Sequence, residues 1–180
     1  HQKEWERLSG IVLDHQNTET TARSLSAFPQ GTILVEKGPA TRIWQAGKPE
    51  YYQLEVGGPY QATGGMGDTL AGMIAGFAGQ FHQASLYERV VVATYLHSAI
   101  AQELAQENYL VLPTEISKEL PKTMKKILKE ATEILIAFFM FSQLICFSGK
   151  IFKYLRTNNQ LLNLREILTF KVLIFNQTHK

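Results

Sequence analysis

The segment that most constrains the fold of this chain is ATGGMGDTLAGMIAGFAG, residues 62–79. Gly64, Gly65 and Gly67 stand directly before Asp68, and an apolar run rich in small residues follows them. A helix N-terminus presents unpaired N–H groups and a partial positive charge. Glycines at that end let the backbone approach an anion closely, because no Cβ intervenes. The segment therefore predicts a helix from about Asp68 to Gln80, with a glycine turn (residues 64–67) shaped to hold a phosphate.

Asp68 gives the glycine turn a second chemical property. A carboxylate repels a phosphate unless it binds a proton, a metal or a substrate hydroxyl. A carboxylate beside an anion hole can accept a hydroxyl proton while the hole stabilises charge on a transferred phosphoryl group. The pattern thus indicates a phosphoryl-transfer site with Asp68 as its base. The alternative is an ordinary glycine-rich turn in which Asp68 caps the helix.

The apolar helix after the turn is predicted to have two faces. Its large residues recur with the period of a buried helix face. They are Leu70, Met73, Ile74 and Phe77. Its small residues form another face, namely Ala71, Gly72, Ala75, Gly76 and Gly79. Glycine inside a helix costs about 0.5–1 kcal/mol relative to alanine, so this second face predicts close packing against a neighbouring element.

The remaining elements are predicted from periodicity and turn residues. Strands are expected within residues 31–38, 41–47 and 50–56, and Gly38 and Pro39 form the turn between the first two. Two short helices are expected in the first 26 residues, the second near Thr18–Ser26. A longer helix is expected over residues 86–107, and another over 110–130 that breaks near Pro121.

Composition limits the class of protein. The chain has 180 residues, 45% hydrophobic and 19% charged, which is typical of one globular domain with a sizeable core. The net charge of +2 is too small to indicate a nucleic-acid or membrane-surface partner. The single cysteine, Cys146, excludes an intrachain disulfide and favours a reducing, cytoplasmic location. The first ten residues carry no secretory apolar core, and without an initiator Met we expect a cut, processed or fragmentary chain.

The character of the sequence changes after about residue 130, and we expect residues 131–180 to form a separate tail. Residues 134–148 are apolar, but the run is shorter than the roughly 20 residues that span a bilayer. Two interpretations stay open for the tail: a native pair of C-terminal helices, or an aberrant segment produced by a frameshift or read-through.

Four segments together resemble the ADP/ATP-dependent NAD(P)H-hydrate dehydratases, which have the ribokinase-like fold. ATGGMGDTLAGMIAGFAGQ is similar to the family signature, and VEKGPATRIW to its nucleotide-binding hairpin. HQKEWERLSG and LPTEISKELPK are similar to its His-led and closing segments. The resemblance covers residues 1 to about 130. It implies a three-layer α/β/α fold, of which this chain carries a C-terminal part.

The resemblance also implies a reaction, its cosubstrates and residue roles. The family phosphorylates the ring hydroxyl of hydrated NADH or NADPH with ADP or ATP, and then eliminates phosphate. Mg²⁺ is implied, without a dedicated carboxylate cluster to bind it, and a homo-oligomer is expected. Asp68 would be the base and contact the substrate, and His1 would contact the hydrated dinucleotide. The implied nucleotide-binding residues are Lys37, Gly38, Pro39, Ala40, Thr41, Gly64, Gly65 and Gly67.

Two departures and two competing functions qualify this expectation. Met66 and Gly58 stand where the family commonly has a small hydroxyl residue and an asparagine, so one contact to the phosphate and one to the substrate are expected to be missing. Members of the family are roughly twice as long, so the chain alone is expected to be nearly inactive. The alternatives are a ribokinase-like kinase for a vitamin or sugar, or an inactive truncated fragment. His97 is expected to be a hydrogen-bonded core residue.

Overall fold

The computed structural model describes residues 1–144, which begin with two short helices. Helix α1 spans Gln2–Ser9 and helix α2 spans Thr18–Leu25, with a 3-10 turn at Leu13–His15 between them. The side chain of Asn17 caps α2 by accepting a hydrogen bond from the Thr20 N–H at 2.9 Å. The two helices predicted in the first 26 residues are therefore confirmed.

Three antiparallel strands follow in the order of the sequence. Strand β1 spans Ile33–Glu36, β2 spans Arg42–Gln45 and β3 spans Tyr51–Gln53. The register pairs Glu36 with Arg42 at the end of the first hairpin, so residues 37–41 form its loop. This places the predicted turn at Gly38 and Pro39 at the tip of a hairpin whose strands are held in register.

Helices cover both faces of this sheet because the side chains of β2 alternate. Trp44 is 1% exposed and packs with Trp5 of α1 and Leu25 of α2. Its neighbour Ile43 is fully buried on the opposite face and packs with Val90. The alternation of side chains along a strand therefore produces a helix–sheet–helix arrangement in three layers.

Three further helices complete the described chain. Helix α3 spans Met66–Gly79, α4 spans Leu86–Leu104 and α5 spans Pro113–Leu144. Helix α4 supplies Val90 to the sheet and also packs against α3 and α5 in a second core. The buried residues of that core include Met73, Phe77, Leu96 and Ile100. Helix α4 is thus the central support of the fold.

The predicted break of the last helix at Pro121 is wrong, since α5 continues through this proline. A proline inside a helix costs about 3 kcal/mol because it removes a hydrogen bond and crowds the preceding turn. Pro121 lies on the exposed side. The opposite side packs on the core through Ile116, Leu120, Met124 and Ile127. We attribute the continuity of the helix to this apolar stripe.

The prediction that the small-residue face of α3 packs closely is also wrong for the described chain. The large face is buried as expected, with Leu70, Met73 and Phe77 each no more than 8% exposed. The small face is exposed along its length. A Cβ built on Gly72 or Gly76 meets no heavy atom within 4 Å. The glycines of this face therefore serve no packing contact within residues 1–144.

The expected domain boundary near residue 130 stays a prediction. Helix α5 passes this position, and its described residues run from Pro113 to Leu144. The rest of the tail, including Cys146, lies outside the described residues. Within the described part of the chain, no helix is both long and apolar enough to cross a membrane.

Candidate active site

The glycine turn is held in place by the segment that precedes α5. Gly65 is the N-cap of α3 and has a φ of 86°, a left-handed conformation that favours glycine. A Cβ built on Gly65 would lie 3.3 Å from the ring of Pro113. The hydroxyl of Thr63 donates a hydrogen bond of 3.0 Å to the carbonyl of Val111. These contacts fix the direction in which α3 begins.

Met66 anchors the first turn of α3 to the hydrophobic core. Its side chain is 7% exposed and belongs to the core formed with α4 and α5. The residue at position 66 thus has its side chain in the core. This gives a physical reason for an apolar residue where a hydroxyl was expected from the family pattern.

The N-terminus of α3 is open on its outer side. No side chain caps it, and a Cβ built on Gly64 meets no heavy atom within 4 Å. Asp68 lies inside the first turn of the helix and is exposed. The interpretation of Asp68 as the helix cap is therefore wrong, because Gly65 occupies the cap position. The carboxylate still favours the helix dipole from the first turn.

Lys37 reaches this helix end from the hairpin loop. A Cβ built on Gly67 would lie 3.1 Å from the Lys37 ammonium nitrogen, so this cation rests against the backbone of the first turn. The side chain of Lys37 is 39% exposed. The structure thereby brings the lysine-bearing loop and the glycine turn together, which sequence analysis suggested only through the family resemblance.

Glu4 is a third component of the site, and sequence reasoning assigned it no role. Its carboxylate lies 3.9 Å from the Lys37 ammonium and accepts a 2.7 Å hydrogen bond from the terminal amino group of His1. The pKa of Glu4 is lowered, first by that hydrogen bond and the charge of the amino group, and then by Lys37. No sequence spacing indicates this contact, because it joins α1 to a hairpin loop.

The other predicted binding residues differ in their exposure and in the hydrogen bonds that hold them. His1 is exposed at the N-cap of α1, where its Nδ1 accepts the Lys3 N–H at 3.4 Å. Gly38 and Pro39 are exposed at the tip of the loop, and Ala40 is half-buried. The carbonyl of Thr41 accepts the Leu54 N–H at 2.9 Å, which ties the end of the loop to the residue after β3.

Gly58 lies close to the aromatic ring of Tyr60. A Cβ built on Gly58 would lie 2.5 Å from this ring, a distance that requires the ring to move. Tyr60 packs against the core, and its hydroxyl is buried. Desolvation raises the pKa of this hydroxyl. Any larger residue at position 58, asparagine included, is thus incompatible with the present position of Tyr60.

The described residues do not form a metal site of their own. Within residues 1–144 no three histidine, cysteine or acidic side chains lie together in a way that holds a metal ion. The site instead combines a cation, Lys37, with the open end of α3 and the exposed carboxylate of Asp68. This arrangement can bind an anionic group at the ammonium and the helix N-terminus, and it presents a carboxylate in the same first turn.

Comparison with solved structures assigns the class of fold. The chain is 54% identical to a hypothetical protein from Streptococcus mutans, with a TM-score of 0.67 over 70% of this chain and 45% of that one. It is 44% identical to a ribokinase-like superfamily protein from Enterococcus faecalis, with a TM-score of 0.63 over 70% of this chain and 42% of that one. The described residues thus form part of a ribokinase-like α/β fold.

Comparison with protein families identifies the family within that class. Residues 1–122 match the NAD(P)H-hydrate dehydratase family, and the chain belongs to it. Over 130 residues it is 76% identical to the ADP-dependent (S)-NAD(P)H-hydrate dehydratase of Streptococcus pneumoniae. That match covers 72% of this chain, which spans 45% of the length of the relative. The family resemblance and its C-terminal extent are therefore confirmed.

Proposed function

We propose that this chain carries the nucleotide and phosphoryl-transfer site of an ADP-dependent NAD(P)H-hydrate dehydratase. The observation that carries the proposal is the position of the Lys37 ammonium at the open end of α3, 3.1 Å from where a Cβ on Gly67 would lie. A lysine ammonium and the N–H groups of a helix end are complementary to a phosphate. The name of the S. pneumoniae relative supports ADP as the cosubstrate.

In the proposed reaction the chain supplies binding groups and a base. The three glycines of the turn, Gly64, Gly65 and Gly67, would surround the transferred phosphoryl group. Residues 37–41 would hold the nucleotide. Asp68 would accept the proton of the substrate hydroxyl as the phosphoryl group arrives. The nucleotide would leave as AMP, and loss of phosphate together with a proton from the adjacent ring carbon would then restore the double bond of NADH or NADPH. His1 would contact the hydrated dinucleotide.

The proposed cofactor and setting follow from this chemistry. Mg²⁺ usually binds through the phosphates of its nucleotide and retains several waters, and a protein-only site is absent from residues 1–144. We therefore assign the ion to the nucleotide as a complex and derive no step from it. We also propose a cytoplasmic location, assembly as a homo-oligomer, and no nucleic-acid or membrane partner.

Titration of the chain with the ADP–Mg²⁺ complex tests the nucleotide site. Calorimetry and thermal shift measure the binding. We expect Lys37→Ala to weaken binding about tenfold or more, because a contact to a charged group is worth about 1.5–3 kcal/mol. Lys48→Ala is the matched control, since Lys48 is an exposed lysine outside the site. Asp68→Asn should retain binding. Equal affinity of the Lys37 and Lys48 variants would refute the proposed site.

Turnover is tested separately, with hydrated NADH and ADP and detection of restored NADH. Since the chain spans 45% of the length of the S. pneumoniae relative, we expect little or no turnover by the 180-residue chain alone. A ribokinase-like kinase for a vitamin or sugar is the competing function. It would release a stable phosphorylated product from such a substrate, whereas the dehydratase releases inorganic phosphate.

A further inference from the structure

His97 is a buried titratable side chain to which the proposed reaction assigns no role. It lies in the middle of α4 and is 5% exposed. The buried polar side chains of the described chain are Thr21, Thr94, His97 and Ser98. Of these, only an imidazole changes its charge near neutral pH. Its surroundings therefore determine whether it serves only as a core residue.

A side-chain hydrogen bond connects His97 to the segment before the glycine turn. Nδ1 of His97 lies 3.4 Å from Nε2 of Gln61. The same amide accepts the N–H of Gly58 through its Oε1, at 3.2 Å. An amide that accepts through oxygen must donate through nitrogen, so Nδ1 of His97 is the acceptor. The neutral imidazole then carries its proton on Nε2.

Within residues 1–144 the other imidazole nitrogen has no partner to hold it. In the described part of the chain Nε2 is buried and has no hydrogen-bond partner of ordinary geometry. Burial lowers the pKa of His97, and an interaction with the Met66 backbone opposes this shift. Met66 is the first residue of α3. The imidazole therefore lies between Gln61, which precedes the glycine turn, and Met66, which lies within it.

Helix α4 holds the same segment at a second point. The N–H of Gly57 donates to Oε1 of Gln102 at 3.3 Å. A Cβ built on Gly57 would lie 2.8 Å from Oε1 of Gln61, so the Gln61 amide is packed directly against this backbone. Gln102 lies on α4 about 1.4 helical turns after His97. Residues 57–61 are thus attached to one helix through two separate side chains.

We propose that His97 is a positioning residue of the phosphoryl-transfer site: as a neutral Nε2–H imidazole it orients the segment that leads into the glycine turn through the hydrogen bond between its Nδ1 and Gln61. The inference rests on the proposed function of that turn. It assigns no contact with substrate to His97. Through Gln61 the imidazole holds the chain just before residues 62–65, which lead into Gly67 near the Lys37 ammonium.

The ring tautomer is tested directly on the unsubstituted chain. The ¹⁵N chemical shifts of the His97 ring, recorded without ligand at pH 7.5, should show a proton on Nε2 and an unprotonated Nδ1. A proton on Nδ1 overturns the proposal, because the Gln61 amide could not then donate to the ring while accepting from Gly58. This measurement needs neither a variant nor a bound nucleotide.

Substitutions test whether the link positions the turn. His97→Leu and Gln61→Leu should each shift the amide signals of Gly64, Gly65 and Gly67. Each should also weaken binding of the ADP–Mg²⁺ complex by roughly fivefold, as expected for loss of a buried hydrogen bond. His97→Asn keeps an acceptor near the position of Nδ1 and should restore both readouts toward those of the unsubstituted chain. The two leucine changes together should be no worse than either alone.

A purely structural role for His97 gives a different result. His97→Leu would then alter the melting temperature while the glycine amide signals and the nucleotide affinity stayed unchanged, and the proposal would be wrong. If the unsubstituted chain does not bind the ADP–Mg²⁺ complex, the proposed function fails instead. The ring tautomer and the ligand-free glycine signals still decide the positioning role in that case.

Discussion

At the residue scale, the candidate site depends on contacts between parts of the chain that are far apart in sequence. Gly67 lies in a helix and Lys37 in a hairpin loop, yet a Cβ on the glycine would lie 3.1 Å from the lysine ammonium. Glu4 approaches the same ammonium from α1, at 3.9 Å. The lysine therefore lies between a carboxylate and a helix end, where an incoming anionic ligand can compete for it.

Gly67→Ala should separate ligand binding from folding. Alanine is favoured over glycine in a helix by about 0.5–1 kcal/mol, and Gly67 has no positive φ, so stability should be retained or slightly increased. The added methyl group must displace the Lys37 ammonium by a few tenths of an ångström. We therefore expect affinity for the ADP–Mg²⁺ complex to fall about fivefold, or ~1 kcal/mol, in a calorimetric titration.

Gly72→Ala provides the control for this change on the same helix. A Cβ built on Gly72 meets nothing within 4 Å and lies away from Lys37. Its nucleotide affinity should equal that of the unsubstituted chain. If the Gly67 and Gly72 variants bind the nucleotide equally well, the space above Gly67 is not part of the ligand site.

At the scale of elements, the sequence predicts local structure well and predicts packing partners poorly. The apolar period of α3 and the turn at Gly38 depend on neighbouring residues, and both are confirmed. Helix α5 continues through Pro121 because distant core residues hold its opposite side. The exposed face of α3 also shows that packing partners are hard to predict, because the spacing of its glycines does not indicate which element, if any, packs against them.

That exposed face leads to a prediction about stability. Gly72→Ala and Gly76→Ala should each stabilise the chain by about 0.5–1 kcal/mol, since neither residue has a positive φ and neither added methyl group meets another atom. Urea unfolding followed by circular dichroism measures the effect. Gly65→Ala should instead destabilise the chain, because its φ is 86° and Pro113 lies 3.3 Å from the added atom. A loss of stability in either of the first two variants would show that this face is covered in solution.

At the scale of the whole molecule, helix α4 supports both the fold and the candidate site. The same helix packs on the sheet through Val90 and on α3 and α5 through Leu96 and Ile100. It also holds the segment before the glycine turn, through Gln102, which accepts the Gly57 N–H, and through His97, which bonds to the Gln61 side chain. The sequence alone indicates that His97 is buried but not which segment it contacts, because Gln61 is brought to it by the fold.

This arrangement couples the stability of the described fold to pH. Burial lowers the folded-state pKa of His97 below its ordinary value of 6.5. At pH values between the folded-state pKa and 6.5, the unfolded chain therefore binds more protons than the folded one. The stability that the neutral imidazole contributes is therefore fully present above about pH 6.5 and is lost as the pH falls toward the folded-state pKa. Free energies of unfolding in urea at pH 7.5, 6.5, 5.5 and 5.0 should decline accordingly. In His97→Asn this decline should be smaller, because the variant lacks the buried imidazole. Parallel pH profiles for the two proteins would mean that the buried imidazole does not resist protonation.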